Sequence, residues 1–364
     1  MTRLSDSYRM KITPLAPIHV GSGESMCPGE YFVLDDMICA VNLGNIPSEE
    51  MGDLTGKLLG WIDENPVTWV SNVNQSDALK ALIRKHTLFR CKSTKSVLDG
   101  INARWGLGVS GLEIALLNRT LASAIIPGSS IKGAVRTALL WQAVDGQMHP
   151  VPAASDASTW ERRTMANRRE GPFGGIADDP LRNLKISDAV TGSIGTWVLQ
   201  PSHVGMSDEA KAQELQDYRE CFPAGNRENP YAIRGTLAIE TGMLKRRGME
   251  GLISRDAILD ACADFYGEVL EQEILFWQKN TDTRSQECAK WYEAAREYAE
   301  KHDEGALIRL GWGCGMNTVG LNLAKPYGKH PPKGKNPNFY YDAKTRVLIG
   351  RRPPGWALFT LEPD

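Results

Sequence analysis

The stretch Ile125–Leu140, IIPGSSIKGAVRTALL, is the piece of this sequence on which the fold turns. An apolar run stops at Pro127-Gly128, and two serines precede a helical pattern. Ile131, Val135, Ala138, Leu139 and Gln142 fall on one helix face, which predicts a helix over 131–144. With Ser129 as N-cap, Lys132 takes the third helical position and Arg136 lies four residues on, on the same face. A helix start has free N–H groups and the positive end of the dipole, so with Ser129, Ser130, Lys132 and Arg136 it can collect an anion. The plainer reading is a solvated helix with a routine serine cap. A P-loop is excluded by spacing. Ser129 and Lys132 also match S-x-x-K, but the S-D-N and K-T-G partners of that enzyme class are missing.

Upstream, SYRMKITPLAPIHV (Ser7–Val20) reads as a strand and GSGESMCPGE as a glycine-rich loop. YFVLDDMICAVN (Tyr31–Asn42) reads as a hairpin turning at Asp35-Asp36, and Pro47 to Arg90 is mostly helical. Downstream, WERRTMANRREGPFGGIADDP (Trp160–Pro180) has no periodicity and reads as a projecting loop. LRNLKISDAV, TWVLQPSHV and YAIRGTLAIETG read as strands. A helix follows with Ser254 as N-cap and Ile258, Cys262, Phe265 and Val269 on one face; a second carries Trp291, Ala294 and Tyr298. RVLIG and WALFTLE close the chain as strands. Mixed in this way, the elements predict an α+β fold.

With 364 residues, 42% hydrophobic and 24% charged, the chain has the composition of a folded protein. No run reaches 18 apolar residues and no signal-peptide core is present, so neither a membrane span nor export is expected. Seven cysteines without a CxxC pair read as reduced thiols of a cytoplasmic protein, with no metal site and no cofactor. The net charge of −2 hides segregation. Lys80–Arg136 holds 10 basic residues against 2 acidic, and Gly305–Thr360 holds 9 against 1. Ile253–Glu304 reverses the balance, 6 against 13. A positive and a negative face are expected.

Two more segments bear chemistry. LIRLGWGCGMNTVG (Leu307–Gly320) carries Arg309, Gly311, Trp312, Gly313 and Gly315, but no G-x-G-x-x-G, so a dinucleotide site is not indicated. Its glycines permit close approach of another backbone, of protein or nucleic acid, or form a tight turn on the chain's own core. PLAPIHVGSGE (Pro14–Glu24) places His19 beside Gly21, Ser22 and Gly23. His19 is either a general base for RNA cleavage or a structural histidine.

Together PIHVGSG, IPGSSIKGAVRTAL and RLGWGCG, with KISDA (Lys185–Ala189) after GPFGG and with RGTLAIETG, resemble the RAMP proteins of CRISPR systems. HVGSGE followed by EYFVLDDMICAVN is most similar to the Csm subunit that caps the 3′ end of the guide RNA in the type III-A effector. The resemblance implies an RRM-like (ferredoxin-like) core with a projecting loop and a helical insertion. In these terms 1–250 is the core, interrupted by helices near 47–120 and the loop near 145–182. Residues 251–304 are an acidic helical insertion, and 305–364 complete the core. It implies CRISPR guide RNA as ligand, target RNA paired to the guide, and neighbouring Csm backbone and small subunits as partners. Ser129, Ser130, Lys132 and Arg136 would hold guide phosphates and ribose oxygens. His19, Gly21, Ser22, Gly23, Arg309, Gly311, Trp312, Gly313 and Gly315 complete the implied RNA contacts. No RNP-type aromatic strand is present, so backbone contacts are expected over base stacking.

Three functions compete: a non-catalytic guide-binding cap, a guide-processing endoribonuclease with His19 as base, and a backbone subunit cutting target RNA with Asp178 or Asp179. The acidic helices are expected to face away from RNA. Their apolar stripe is expected to pack the two helices together and onto the core, with Trp277, Trp291 and Tyr298 either a surplus for a partner or part of a solvated insertion without one; a flexible linker in place of the segment is expected to spare guide binding if the chain still folds.

Overall fold

The alternation in YRMKI builds the centre of the molecule. In the computed structural model, which describes residues 4–107, 112–121, 123–143, 179–192, 194–205, 212–215, 217–225, 230–249, 251–315, 317–318 and 345–364, β1 (Asp6–Pro14) buries Met10 and Ile12 and exposes Ser7 and Arg9. It lies between β15 (Ile233–Ile239) and β18 (Trp356–Pro363), antiparallel to both. β16 (Gly305–Arg309) flanks β18. Beyond β15 come β9 (Leu184–Ile186) and β10 (Ala189–Val190), then β8 (Ser123–Ile126) and β7 (Arg119–Thr120). The sheet therefore has eight strands, twice the number in the expected ferredoxin-like core. The elements show an α+β fold.

Helices α6 (Gly128–Ala143), α8 (Arg255–Gln278) and α9 (Thr283–Glu300) supply the other layer, and the short α7 (Thr241–Arg246) precedes α8. Met10, Ile12, Leu237 and Phe359 of the sheet share one core with Ile131 and Val135 of α6 and with Ile258, Phe265 and Trp277 of α8. The expected N-cap is present: Ser254 Oγ accepts from Ala257 N at 3.0 Å. The expected face of α8 is also inward, with Ile258, Cys262, Phe265 and Val269 fully buried. On α9 the inward face is one residue off, with Tyr292 and Ala295 buried where Trp291 and Ala294 were expected. Trp277 is fully buried, so it is no surplus for a partner. Each such side chain contributes about 1.5–3 kcal/mol by burial, so a linker in place of 254–302 would dismantle this core. The acidity is kept on an exposed stripe of α8, Asp256, Asp260, Asp264 and Glu268, at a spacing of four.

A second sheet has its own core. In spatial order it comprises β2 (Gly21–Met26), β6 (Ile114–Leu117), β14 (Tyr218–Cys221), β11 (Thr196–Leu199), β5 (Phe89–Ser93), β4 (Met37–Ala40) and β3 (Tyr31–Leu34). Helices α1 (Ser48–Met51), α2 (Leu54–Glu64), α3 (Trp69–Asn72), α4 (Asp77–Lys85) and α5 (Lys95–Leu107) accompany it. Tyr31, Ile38, Ile83, Ile101, Trp105 and Val198 pack together there. The hairpin turns at Asp35 and Asp36 with φ of 54° and 56°, the left-handed pair a two-residue turn needs. GSGESM, expected as a loop, is a strand with a bulge against β6. A small third sheet joins β12 (Pro201–Gly205) to β13 (Ala212–Glu214) and β17 (Thr345–Ile349). The projecting loop lies outside the described residues except for Asp179 and Pro180, and Asp178 is among those outside.

Glu220 joins the two large sheets. Fully buried on β14, it accepts from the Arg119 guanidinium, from Thr196 Oγ1 at 2.5 Å and from Leu117 N at 3.1 Å. A buried carboxylate so provided with donors avoids the cost of an unpaired charge.

Candidate nucleic-acid interface

Pro127 and Gly128 decide how α6 begins. Ser130 N and Ile131 N both donate to Pro127 O, and the helix starts at Gly128. Ser129 is therefore inside the first turn, where a cap had been expected. A Cβ on Gly128 would lie 2.3 Å from Ile186 O, so only glycine lets the helix start press against β9. Gly128 N donates to Asp188 Oδ1 at 2.9 Å. The positive end of the helix thus already faces a carboxylate of its own chain.

The cations of α6 differ from expectation as well. Lys132 Nζ donates to Leu184 O at 2.8 Å, and its pKa is lowered, first by burial and then by nearby Lys185. Arg136 Nη1 donates to Asp179 Oδ2 at 2.7 Å, with both side chains about three-quarters covered. These residues clamp α6 to β9 and to the turn at Pro180–Asn183; they do not form a solvated polar face. The reason is geometric: their side of the helix borders the apolar stripe and faces β9.

His19 and the glycine loop meet backbone to backbone. Trp312 N donates to His19 O at 2.8 Å, and a Cβ on Gly311 (φ +86°) would lie 2.2 Å from that same oxygen. His19 is 2% exposed. Its Nδ1 lies 2.6 Å from Glu220 O, and since a carbonyl only accepts, Nδ1 carries the proton. Burial is the main cause that lowers its pKa. Gly21 has no room for a Cβ, which would stand 2.8 Å from His19 Nε2. Gly313 packs on Pro354 and Val347. Arg309, 5% exposed, donates through Nε to Pro354 O at 3.0 Å. Ser22 and Gly23 are exposed on β2, and Gly315 is exposed with φ +78°.

Between α6 and this loop lies an open cleft of about 250 Å³. Ser130, Gly133 and Thr137 line one wall; Arg309, Gly311, Cys314 and Thr318 line the other, with Tyr266 of α8 beside them. The cleft offers hydroxyls and glycine backbone over a buried guanidinium, a chemistry suited to phosphate and ribose oxygens. Of the expected contacts the structure brings together Ser130, Arg309 and Gly311 here. Ser129, Lys132, Arg136, the His19 ring, Ser22 and Gly23 do not line it. Gly133 and Thr137 were missed, although their three- and four-residue steps from Ser130 are readable as a polar stripe. Asp188 and Glu220 carried no local signal. Among the described residues, no group of three His, Cys, Asp or Glu side chains stands close enough to hold a metal, and no helix is long and apolar enough to cross a membrane.

The model of the RAMP superfamily matches residues 11–362. This chain belongs to the RAMP superfamily. Its fold is shared by a chain in the cryo-EM structure of a Csm–crRNA–target RNA ternary complex of a type III-A CRISPR–Cas system. The TM-score there is 0.65 at 17% identity, covering 98% of this RAMP chain and 100% of that one. It is shared also by Csm5 of T. onnurineus, with TM-score 0.61 at 19% identity, covering 96% and 99%. No curated protein matches this RAMP chain in sequence.

Proposed function

We propose that this RAMP protein is a non-catalytic guide-RNA-binding subunit of a type III-A CRISPR effector that caps the 3′ end of the guide and of the backbone filament. The observation that carries the reading is the cleft, where the serine helix and the glycine loop present oxygens and backbone to one groove. Likeness of fold to a chain of a Csm–crRNA–target RNA complex and to Csm5 supports the same assembly. A cap is preferred to an endoribonuclease because the His19 ring is packed beneath β14 and donates to a backbone carbonyl. Target cutting by Asp179 is disfavoured because its carboxylate is engaged by Arg136 and by Leu181 N.

The test is native mass spectrometry of the assembled complex, with one copy of this chain expected per guide. Several copies would make it a backbone subunit. Purified chain incubated with repeat RNA and divalent metal should bind without cutting. Cleavage that His19→Ala abolishes while binding persists would make it an enzyme. Guide binding should be indifferent to sequence and fall steeply with salt, as counterion release requires.

A further inference from the structure

Outside the cleft, one surface alternates cations with aromatic rings. On the second sheet Trp197 stands in register between Lys92 of β5 and Cys221 of β14, and residues in register share a face. Arg219, two residues from Cys221, lies on that face too. Its guanidinium stacks 3.6 Å from the centre of the Trp312 ring. Trp197 and Trp312 both pack on Leu199, Cys221 and Ile349, yet each residue is only partly buried. Lys92 and Arg90 are exposed on the neighbouring strand. Asp217, 2.6 Å from Arg219, offsets part of this charge, and Asp35, bonded to Arg84, lies near Arg90; Glu220 lies on the buried side of β14.

Trp312 ties this surface to the cleft. Its backbone is bonded to His19 O next to Gly311, which lines the cleft, while its ring lies under Arg219. We propose that this face is a platform for single-stranded RNA leaving the cleft, with a base stacked on Trp197 and phosphates held by Lys92, Arg90 and Arg219. The proposal rests on the guide-RNA reading of the cleft and adds a second site to it. Cation-rich surfaces with partly exposed rings suit single strands, because every base has a face to stack and every nucleotide a phosphate. A protein partner would meet Arg90, Lys92 and Arg219 with the carboxylates of Asp217 and Asp35 nearby, a poorer match for the apolar centre of a protein interface.

The test uses the full chain with two unstructured RNAs, one short enough to be confined to the cleft and one extended at its 3′ end. Trp197→Ala should weaken binding of the long RNA roughly tenfold, on the scale of one lost base–aromatic stack, and leave the short RNA unchanged. Trp197→Phe, which keeps a stacking ring, should retain most of the affinity. Arg90→Ala with Lys92→Ala, both exposed and so safe for folding, should reduce the salt slope of the long RNA by about 1.4, two single-strand phosphates. 4-Thiouridine in the 3′ extension should cross-link to β5 or β11. Should the long RNA bind wild type and all variants alike, without those cross-links, the platform is wrong and the cleft reading stands. If wild type binds neither RNA, both fall.

Discussion

Two cationic regions of this molecule look alike in sequence and behave oppositely once folded. Lys132 and Arg136 on α6 are turned into the protein, bonded to Leu184 O and to Asp179. Arg90 and Lys92 on β5, 40 or so residues earlier in the same basic segment, are exposed, even though Arg90 Nη2 also donates to Arg84 O at 3.3 Å. The lesson is that a count of charges locates a basic segment, whereas availability to a ligand depends on what the opposite strand or loop presents. A helix flank that borders its own core is drawn into internal bonds; alternate positions of a strand are held outward by the pleat.

The comparison breaks most visibly at its backbone contacts. Gly311→Ala should cost about 3 kcal/mol or more in denaturant unfolding, since it adds a clash with His19 O to a strained φ. Gly315→Ala, with the same sign of φ and open space around it, should cost only about 1 kcal/mol. Equal losses at the two sites would show that close approach of the loop to His19 is unimportant.

Next in size is the α6 clamp. Arg136→Ala removes the guanidinium bonded to Asp179 and should cost about 1.5–3 kcal/mol, a change readable as a lowered melting temperature. A solvated helix face would tolerate it within about 0.5 kcal/mol. Lower still should be the cost of Arg90→Ala with Lys92→Ala, expected within that same about 0.5 kcal/mol. If the β5 pair proves as costly as the α6 residue, the contrast between engaged and displayed cations fails.

The smallest effect is a pH dependence. His19 has its pKa held below the ordinary 6.5 by burial, so the folded state prefers the neutral ring. The unfolded chain takes up the proton first as pH falls. Stability from this group is therefore complete above pH 6.5 and declines on acidification below it. His19→Asn, which keeps a donor near the Nδ1 position, should flatten that part of the wild-type profile between pH 7 and 5. An unchanged profile would mean that other groups set the acid limb.

Much of the molecule follows from local chemistry alone. Periodicity of two in YRMKI specified β1, the 4-3-4 pattern with Ser254 specified α8 and its inward face, and Asp35-Asp36 specified a turn, because these depend on steric preferences of neighbouring residues. The glycine loop and the serine helix were legible as motifs, though the contacts that demand Gly311 and Gly128, with His19 O and Ile186 O, are tertiary. Tertiary structure alone decided the rest. GSGESM became a strand because β6, some ninety residues on, supplied an edge to pair with. The inward face of α9 was set one residue from its expected place, with Tyr292 and Ala295 buried, because packing against α8 and the first sheet chose it. Asp188 caps α6, Asp179 holds Arg136, and Glu220 binds Arg119 from 101 residues away. Such partners have no signature in sequence, since the field of a charge and the packing of a ring act across space and not along the chain.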